Sequence, residues 1–308
     1  MMSPVNEEKF KSGFVGVIGQ PNAGKSTLVN ALIGEKVGIV TAKPQTTRQK
    51  VLGVHTSKSS QCIFMDAPGV INSESGINSF LQKEYKSVIE DSDVLIAVLN
   101  IDENKPQKLE TIIKLVSNSG KPWMAVISKV DLGLVHRVDQ LKLLLSPFNV
   151  PVVLSRVHEN VAKDRLESVR MQIFSNLENI LPEGSMLYDS ELYTTHTVRE
   201  MSAEIIREQC FKLLHQELPY DLAVRVIKFE DQNPTMDKVY AEIVIDKPSQ
   251  KSIVVGSGGK VIKRIGTQSR VEIEALTGKK LFLDLHVSVE PQWVKNQKKM
   301  KEFGYEIN

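Results

Sequence analysis

Short apolar runs and stretches of helical spacing alternate along the first half of the chain. Phe14–Ile18, Val51–Thr56, Gln61–Met65, Val94–Ile101, Trp123–Ser128 and Val152–Ser155 have the length and residue types of strands. Thr27–Leu32, which stops at Gly34, and Lys108–Val116, with Leu109, Ile112, Ile113 and Val116 on one face, have the period of helices. A third such run, Val161–Leu181, closes this half. Alternating β and α elements predict a doubly wound α/β sheet, mostly parallel, with its ligand at the carboxyl ends of the strands. Leu181-Pro182-Glu183-Gly184-Ser185 then breaks the pattern, and Tyr188–His196 reads as an extended connector. A smaller α+β unit is expected beyond it. Its elements are a helix at Val198–Leu214, strands at Leu222–Phe229 and Lys238–Ile245, a helix at Lys260–Thr277 halted by Gly278, and a strand at Leu281–Val289. The expected limits are an N-terminal extension 1–12, a first domain 13–181, a linker 182–196, a second domain 197–290 and a basic tail 291–308.

Composition narrows this only a little. With 308 residues, two domains are the default, and 41% hydrophobic with 25% charged residues is ordinary for a globular chain. A net charge of +2 excludes a polycation, so any basic surface must be local. Cys62 and Cys210 stand far apart with no ligand-like spacing, which favours free thiols in a reducing compartment over a disulfide or metal site. The polar start has no apolar core of a signal peptide, and no apolar run reaches membrane-spanning length. A cytoplasmic location is expected.

The candidate chemistry sits at the predicted strand ends. Gly19-Gln20-Pro21-Asn22-Ala23-Gly24-Lys25-Ser26-Thr27 fits G-x-x-x-x-G-K-[ST], with a strand before it and a helix after it. Glycines let backbone N–H groups curl around phosphate oxygens, and the helix N-terminus adds partial positive charge. Lys25 can reach the outer phosphates and the Ser26 hydroxyl can hold Mg²⁺. Asp66-Ala67-Pro68-Gly69 ends the third strand, where Asp66 can reach the same ion through water and Gly69 can offer its N–H to a terminal phosphate. Ser128-Lys129-Val130-Asp131 ends the fifth strand. A carboxylate there can accept from both N1–H and the exocyclic amine of guanine, which adenine cannot supply. Ser155, at the next strand end, could touch the base or simply finish the strand.

In this order, these motifs resemble a GTPase domain of the translation-factor class. The run PNAGKSTLVNALIGEKVGIVTAKPQTTRQ is similar to the Era family. The resemblance implies GTP and GDP as ligands, with Mg²⁺ held by Ser26, Thr47 and, through water, Asp66. Thr46 and Thr47 would belong to the first switch and Asp66 to Gly69 to the second. Ser128, Lys129, Asp131, Ser155 and Arg156 would form the guanine site, and Asn22 would stand beside a K⁺ ion. Two positions depart from the family pattern. Ser128 replaces the asparagine of Asn-Lys-x-Asp, which should weaken contacts to guanine N7 and to the phosphate loop. Arg156 replaces an alanine. Val70, apolar as in Era and its relatives, stands where Ras-like enzymes carry the glutamine that orients the attacking water. Slow intrinsic turnover follows, with catalysis resting on Mg²⁺, Lys25 and backbone dipoles.

In the second half, Gly256-Ser257-Gly258-Gly259 leads into the helix that begins at Lys260 and fits the G-x-x-G loop of KH domains, which clamps single-stranded RNA. From Lys247 to Lys280 eight Lys/Arg face only Glu272 and Glu274, with Lys260, Lys263, Arg264 and Arg270 beside the loop. The stretches VVGSGGKVIKRIG and KKLFLDLHVSV resemble the C-terminal KH domain of the Era family, so the resemblance spans nearly the whole chain. It implies a monomeric switch that binds 16S ribosomal RNA near its 3′ end and assists assembly of the 30S subunit. Lys295, Lys298, Lys299 and Lys301 could add a contact to RNA or to an anionic membrane surface, although most such tails are merely solvated. Two other readings stay open, an RNA-binding module with little GTPase activity and a P-loop enzyme with relaxed base selectivity. A double-GTPase factor is excluded because no second Gly-Lys-Ser motif occurs.

Overall fold

The computed structural model describes residues 9–41, 43, 46–48, 50–69, 77–158, 161–215, 218–303 and 305, with residues 77–79 described for backbone only. The chain divides into two compact units. The first comprises Met1–Gly38, Thr47–Val70 and Glu84–Thr195, and the second Ile39–Thr46, Ile71–Lys83 and His196–Asn308.

The first unit is a six-stranded sheet built from β1 (Lys11–Gly19), β2 (Val51–Thr56), β3 (Ser60–Asp66), β4 (Val94–Asn100), β5 (Trp123–Ser128) and β6 (Val152–Leu154). Its order is β2-β3-β1-β4-β5-β6, parallel except for the β2–β3 hairpin. Helices α1 (Lys25–Ile33) and α5 (Lys163–Ile180) cover one face. The other carries α2 (Ile77–Asp91), α3 (Pro106–Ser117) and α4 (Val135–Leu145). Strand β4 explains why the sequence reads as an unbroken apolar run. Val94, Ile96 and Val98 pack under α1 and α5, while Leu95, Ala97 and Leu99 pack under the opposite helices. From β1 the chain winds to one side, and after β3 it crosses to β4 on the other. The carboxyl ends of β1 and β3 therefore meet at the reversal, where doubly wound sheets bind ligands. The connector after α5 stays with this unit. The buried Gln61 side chain accepts from Leu187 and Tyr188 N–H (2.7 and 3.0 Å), and Val54 N–H donates to Tyr193 O at 2.9 Å.

The second unit packs α6 (Val198–Leu213) and α8 (Lys260–Thr277) on a sheet of order β7-β8-β9 (Ala223–Glu230, Met236–Ile245, Lys280–Val289). The β7–β8 pair is antiparallel and β8–β9 parallel. Helix α6 opens with a full capping box between Thr197 and Glu200. The stretch Pro248–Val255, where the sequence shows only an apolar segment before the glycine turn, is a helix, α7, with Pro248 in its first turn.

The segment expected as a basic tail is folded. Trp293 is fully buried, its Nε1–H donates to Asp221 O at 2.7 Å, and α9 (Gln297–Glu302) follows. Trp293, Met300, Phe303 and Tyr305 cluster with Phe80, Leu81, Ala223 and Val244. The apolar residues that an amphipathic membrane helix would offer to lipid are turned inward, and Lys299 is paired with Glu290. Among the described residues no helix is long and apolar enough to cross a membrane. Cys62 and Cys210 are free and buried in different cores, and burial pushes both thiols up to about 12.

Candidate functional site

The phosphate loop links β1 to α1. A Cβ on Gly19 would lie 2.6 Å from Val98 O, so glycine is needed where the loop leaves the sheet. Gly24 has φ +89° and Asn22 φ +62°, left-handed conformations that turn the backbone N–H groups into the loop. Ala23 is buried beneath it, and Thr27 lies in the first turn of α1. The Lys25 side chain curls back under the loop and donates to Gly19 O (3.3 Å) and Gln20 O (3.1 Å). Burial pushes its ammonium down to about 8, with the Asp66 carboxylate pulling the other way.

Next to Lys25, three oxygens converge. Ser26 Oγ donates to Asp66 Oδ2 at 2.5 Å, and the Ser26 and Thr47 hydroxyls stand 2.8 Å apart. Thr47 Oγ1 reaches Asp66 Oδ2 at 3.4 Å. Burial pushes the Asp66 carboxyl up, and its Oδ1 is buried with no hydrogen-bond partner among the described residues. A buried carboxylate oxygen left over beside two hydroxyls is a hard-oxygen donor set that fits Mg²⁺. Of the two threonines named for the first switch, only Thr47 joins this cluster. The Thr46 hydroxyl donates within its own loop to Lys43 O at 2.8 Å and lies 2.6 Å from Thr41 Oγ1. Ala67 and Pro68 are buried, and a Cβ on Gly69 would meet Pro21 N at 2.6 Å, which seats the second switch segment directly against the phosphate loop. Val70 lies outside the described residues.

The residues expected to form the guanine site lie at the ends of β5 and β6. Ser128 is buried and its Oγ donates to Ala23 O at 2.7 Å. The shorter side chain at this position thus still reaches a carbonyl of the phosphate loop. Lys129 has φ +61° and its Nζ bonds Asp102 Oδ2 at 2.8 Å. Asp131 is exposed in the short 3-10 turn Val130–Leu132. Ser155 is buried, its N–H donating to Ile127 O (2.8 Å) and its carbonyl accepting from Val130 N–H (3.3 Å), while Arg156 is exposed. Asp102, which holds Lys129 in place, was not legible in the sequence; the only hint is its position just past the end of β4.

In the second unit the four loop residues divide by role. Gly256 has φ +72°, and a Cβ there would lie 2.4 Å from Val261 Cγ2. Gly258 (φ +60°) and Gly259 (φ +76°) open into free space. Exposed Ser257 lies in the same 3-10 turn. Lys260, Lys263, Arg264 and Arg270 are exposed on α8. A groove of about 390 Å³ runs beside them, lined by Ile262, Lys263, Gly266, Arg270, Phe282 and Leu285. Phe282, 48% exposed on β9, is a face on which a base can stack, and the sequence reading missed it. Its signal was an aromatic alternating with buried Leu281. Lys279, counted in the basic excess, is instead tied to buried Asp237 at 3.1 Å.

A phosphate loop, a hydroxyl–carboxylate cluster and a G-x-x-G groove together define a P-loop GTPase domain joined to a KH domain. Family models agree: one described as a 50S ribosome-binding GTPase matches residues 14–129, and one for the KH domain matches 217–294. GTPase Era of Geotalea uraniireducens is 36% identical over 306 residues, covering 98% of this chain and all of that protein. GTPase Era of Syntrophus aciditrophicus is 35% identical, covering 96% and 95%. The chain belongs to the Era family. Two solved structures are similar over 97% of this chain and the whole of theirs. They are a variant of Aquifex aeolicus Era bound to GDP and aluminium fluoride (TM-score 0.88, 30% identity) and an Era in complex with MgGDPNP and nucleotides 1506–1542 of 16S ribosomal RNA (TM-score 0.86, 29% identity).

Proposed function

We propose that this GTPase is a switch that binds small-subunit ribosomal RNA near its 3′ end when GTP is bound, assists 30S assembly, and releases the RNA after hydrolysis. The observation that carries the reading is the presence, in one chain, of the Lys25–Ser26–Thr47–Asp66 cluster and the basic G-x-x-G groove. The solved relative that holds both MgGDPNP and a 16S fragment supports it. Ser26, Thr47 and, through water, Asp66 would hold Mg²⁺, which when bound neutralises phosphate charge. Lys25 places a positive charge against the outer phosphates, and the loop amides orient them. Asn22 is the candidate partner for K⁺. On α8, Lys260, Lys263, Arg264 and Arg270 neutralise the RNA backbone while the groove beside Phe282 takes unstacked bases.

A switch needs the nucleotide state to reach the RNA unit, and the division of the first-switch segment between the units supports the reading. Ile39–Thr46 belongs to the second unit and Thr47 to the first. Within the second unit, Val40 N–H donates to Glu208 Oε1 at 3.1 Å and Lys43 Nζ donates to Phe211 O and Leu214 O at the end of α6. Helix α6 in turn bonds α8 through Gln209 and Glu272 (2.5 Å). Phosphate release from GTP and binding of a 16S 3′-end RNA, each measured with GTP-analogue and GDP forms, test the reading. No turnover with or without RNA would sink the enzyme, and equal RNA affinity in both forms would sink the switch.

A further inference from the structure

We infer that this protein reads guanine without its N7 edge, and that Ser128 is the residue responsible. The inference rests on the guanine site that the family resemblance implies at Ser128, Lys129, Asp131, Ser155 and Arg156. Ser128 closes β5, is buried, and stands between the phosphate loop and the Lys129–Asp131 turn. A hydroxyl has one proton. Here it is committed to Ala23 O at 2.7 Å, a bond that also ties the base element to the loop. Side-chain amides have two N–H groups, so an asparagine at this position can hold the loop carbonyl and still donate to a base. The serine can do only the first. What Ser128 has left is a pair of acceptor lone pairs, and guanine N7 is itself an acceptor. The Lys129 ammonium is directed to Asp102 at 2.8 Å, Ser155 is held through its backbone to Ile127 and Val130, and Arg156 is exposed to solvent. Recognition of the base therefore falls on the Asp131 carboxylate and the N1–H/amine edge.

The discriminating ligand is 7-deaza-GDP, in which N7 becomes a C–H and nothing else changes. Equilibrium titration of the full chain with GDP, 7-deaza-GDP and ADP, in Mg²⁺, is the experiment, repeated on Ser128→Asn. The wild type should bind 7-deaza-GDP within about twofold of GDP, while Ser128→Asn should bind GDP more tightly and prefer it over 7-deaza-GDP by roughly five- to tenfold, the range of one hydrogen bond. A fivefold or greater loss with 7-deaza-GDP in the wild type overturns the inference. So does a Ser128→Asn protein that cannot tell the two apart, because the position would then not face N7. ADP binding as tight as GDP is a separate failure, since it would refute the guanine site itself.

Discussion

At the scale of single residues, Lys25 is the most informative. Its ammonium lies under the loop with its pKa down to about 8, and phosphate oxygens beside it must raise that value. Nucleotide binding should then take up a proton, leaving affinity flat below about pH 8 and falling by up to tenfold per pH unit above it. GDP titrations between pH 7 and 9.5, with calorimetry in two buffers of different ionisation heat, check this; a flat profile would contradict it. The same depressed value makes folding of the protein alone more favourable above pH 10.5, an advantage lost as the pH falls through about 8. Two glycines of the second unit separate structure from binding. Gly258→Asp points a carboxylate into open space at a φ that Asp tolerates, so it should fold normally, leave GDP affinity intact and abolish RNA binding. Gly256→Ala drives a methyl into Val261 and should lower the melting temperature. Normal RNA binding by Gly258→Asp would refute the groove. The loop glycines and Lys25 were legible because few residue types can serve there. The Ser128–Ala23 bond was not, since no pattern of residue types reports where one hydroxyl proton goes.

Among the elements, the strands were the most legible. Burial on both faces leaves a run such as Val94–Leu99 with no polar position to blur it. Helix α4 fell outside the sequence reading because it buries only a narrow stripe, Val138, Leu141 and Leu145, while its Val135 and Leu143 remain exposed. Helix α7 was hidden by Ile253-Val254-Val255, β-branched residues that suggest a strand. The C-terminal segment was misread for another reason. Its lysines describe its outer surface, whereas its placement is decided by four aromatic and Met side chains whose partners lie far away in sequence. Trp293→Ala should destabilise the second unit by about 3–5 kcal/mol, as loss of a large buried aromatic does. Chemical denaturation followed by circular dichroism measures it, and a change below 1 kcal/mol would mean that the segment only rests on the surface.

Across the whole molecule, the sequence predicts two consecutive domains, but the contacts divide the chain differently. Ile39–Thr46 and Ile71–Lys83 lie within the stretch expected to form the first domain, yet both belong to the second unit. Hydrophobic periodicity could not reveal this, because 39–46 has neither a helical nor a strand period, and its described bonds to α6 run from Val40 N–H to the Glu208 carboxylate and from Lys43 to the Phe211 and Leu214 carbonyls. Thr46 and Thr47, neighbours in the chain, thus answer to different units. Lys43→Met, which removes the bonds to Phe211 and Leu214 carbonyls, should leave GDP affinity within about twofold while bringing RNA affinity in the GTP-analogue and GDP forms toward equality. Fluorescence anisotropy of a labelled 3′-end RNA in the two forms measures the ratio; an unchanged ratio would remove Lys43 from the switch.

The burial of Trp293 has an optical consequence. The chain has two tryptophans, and they fall one in each unit, Trp123 at the start of β5 and Trp293 in the C-terminal cluster. Trp123→Phe leaves a single emitter, fully shielded from water, and its emission should move to longer wavelength only when the second unit opens. In Trp293→Phe the remaining signal belongs to the sheet of the first. Two conservative substitutions thus let each half of the protein be watched by its own light.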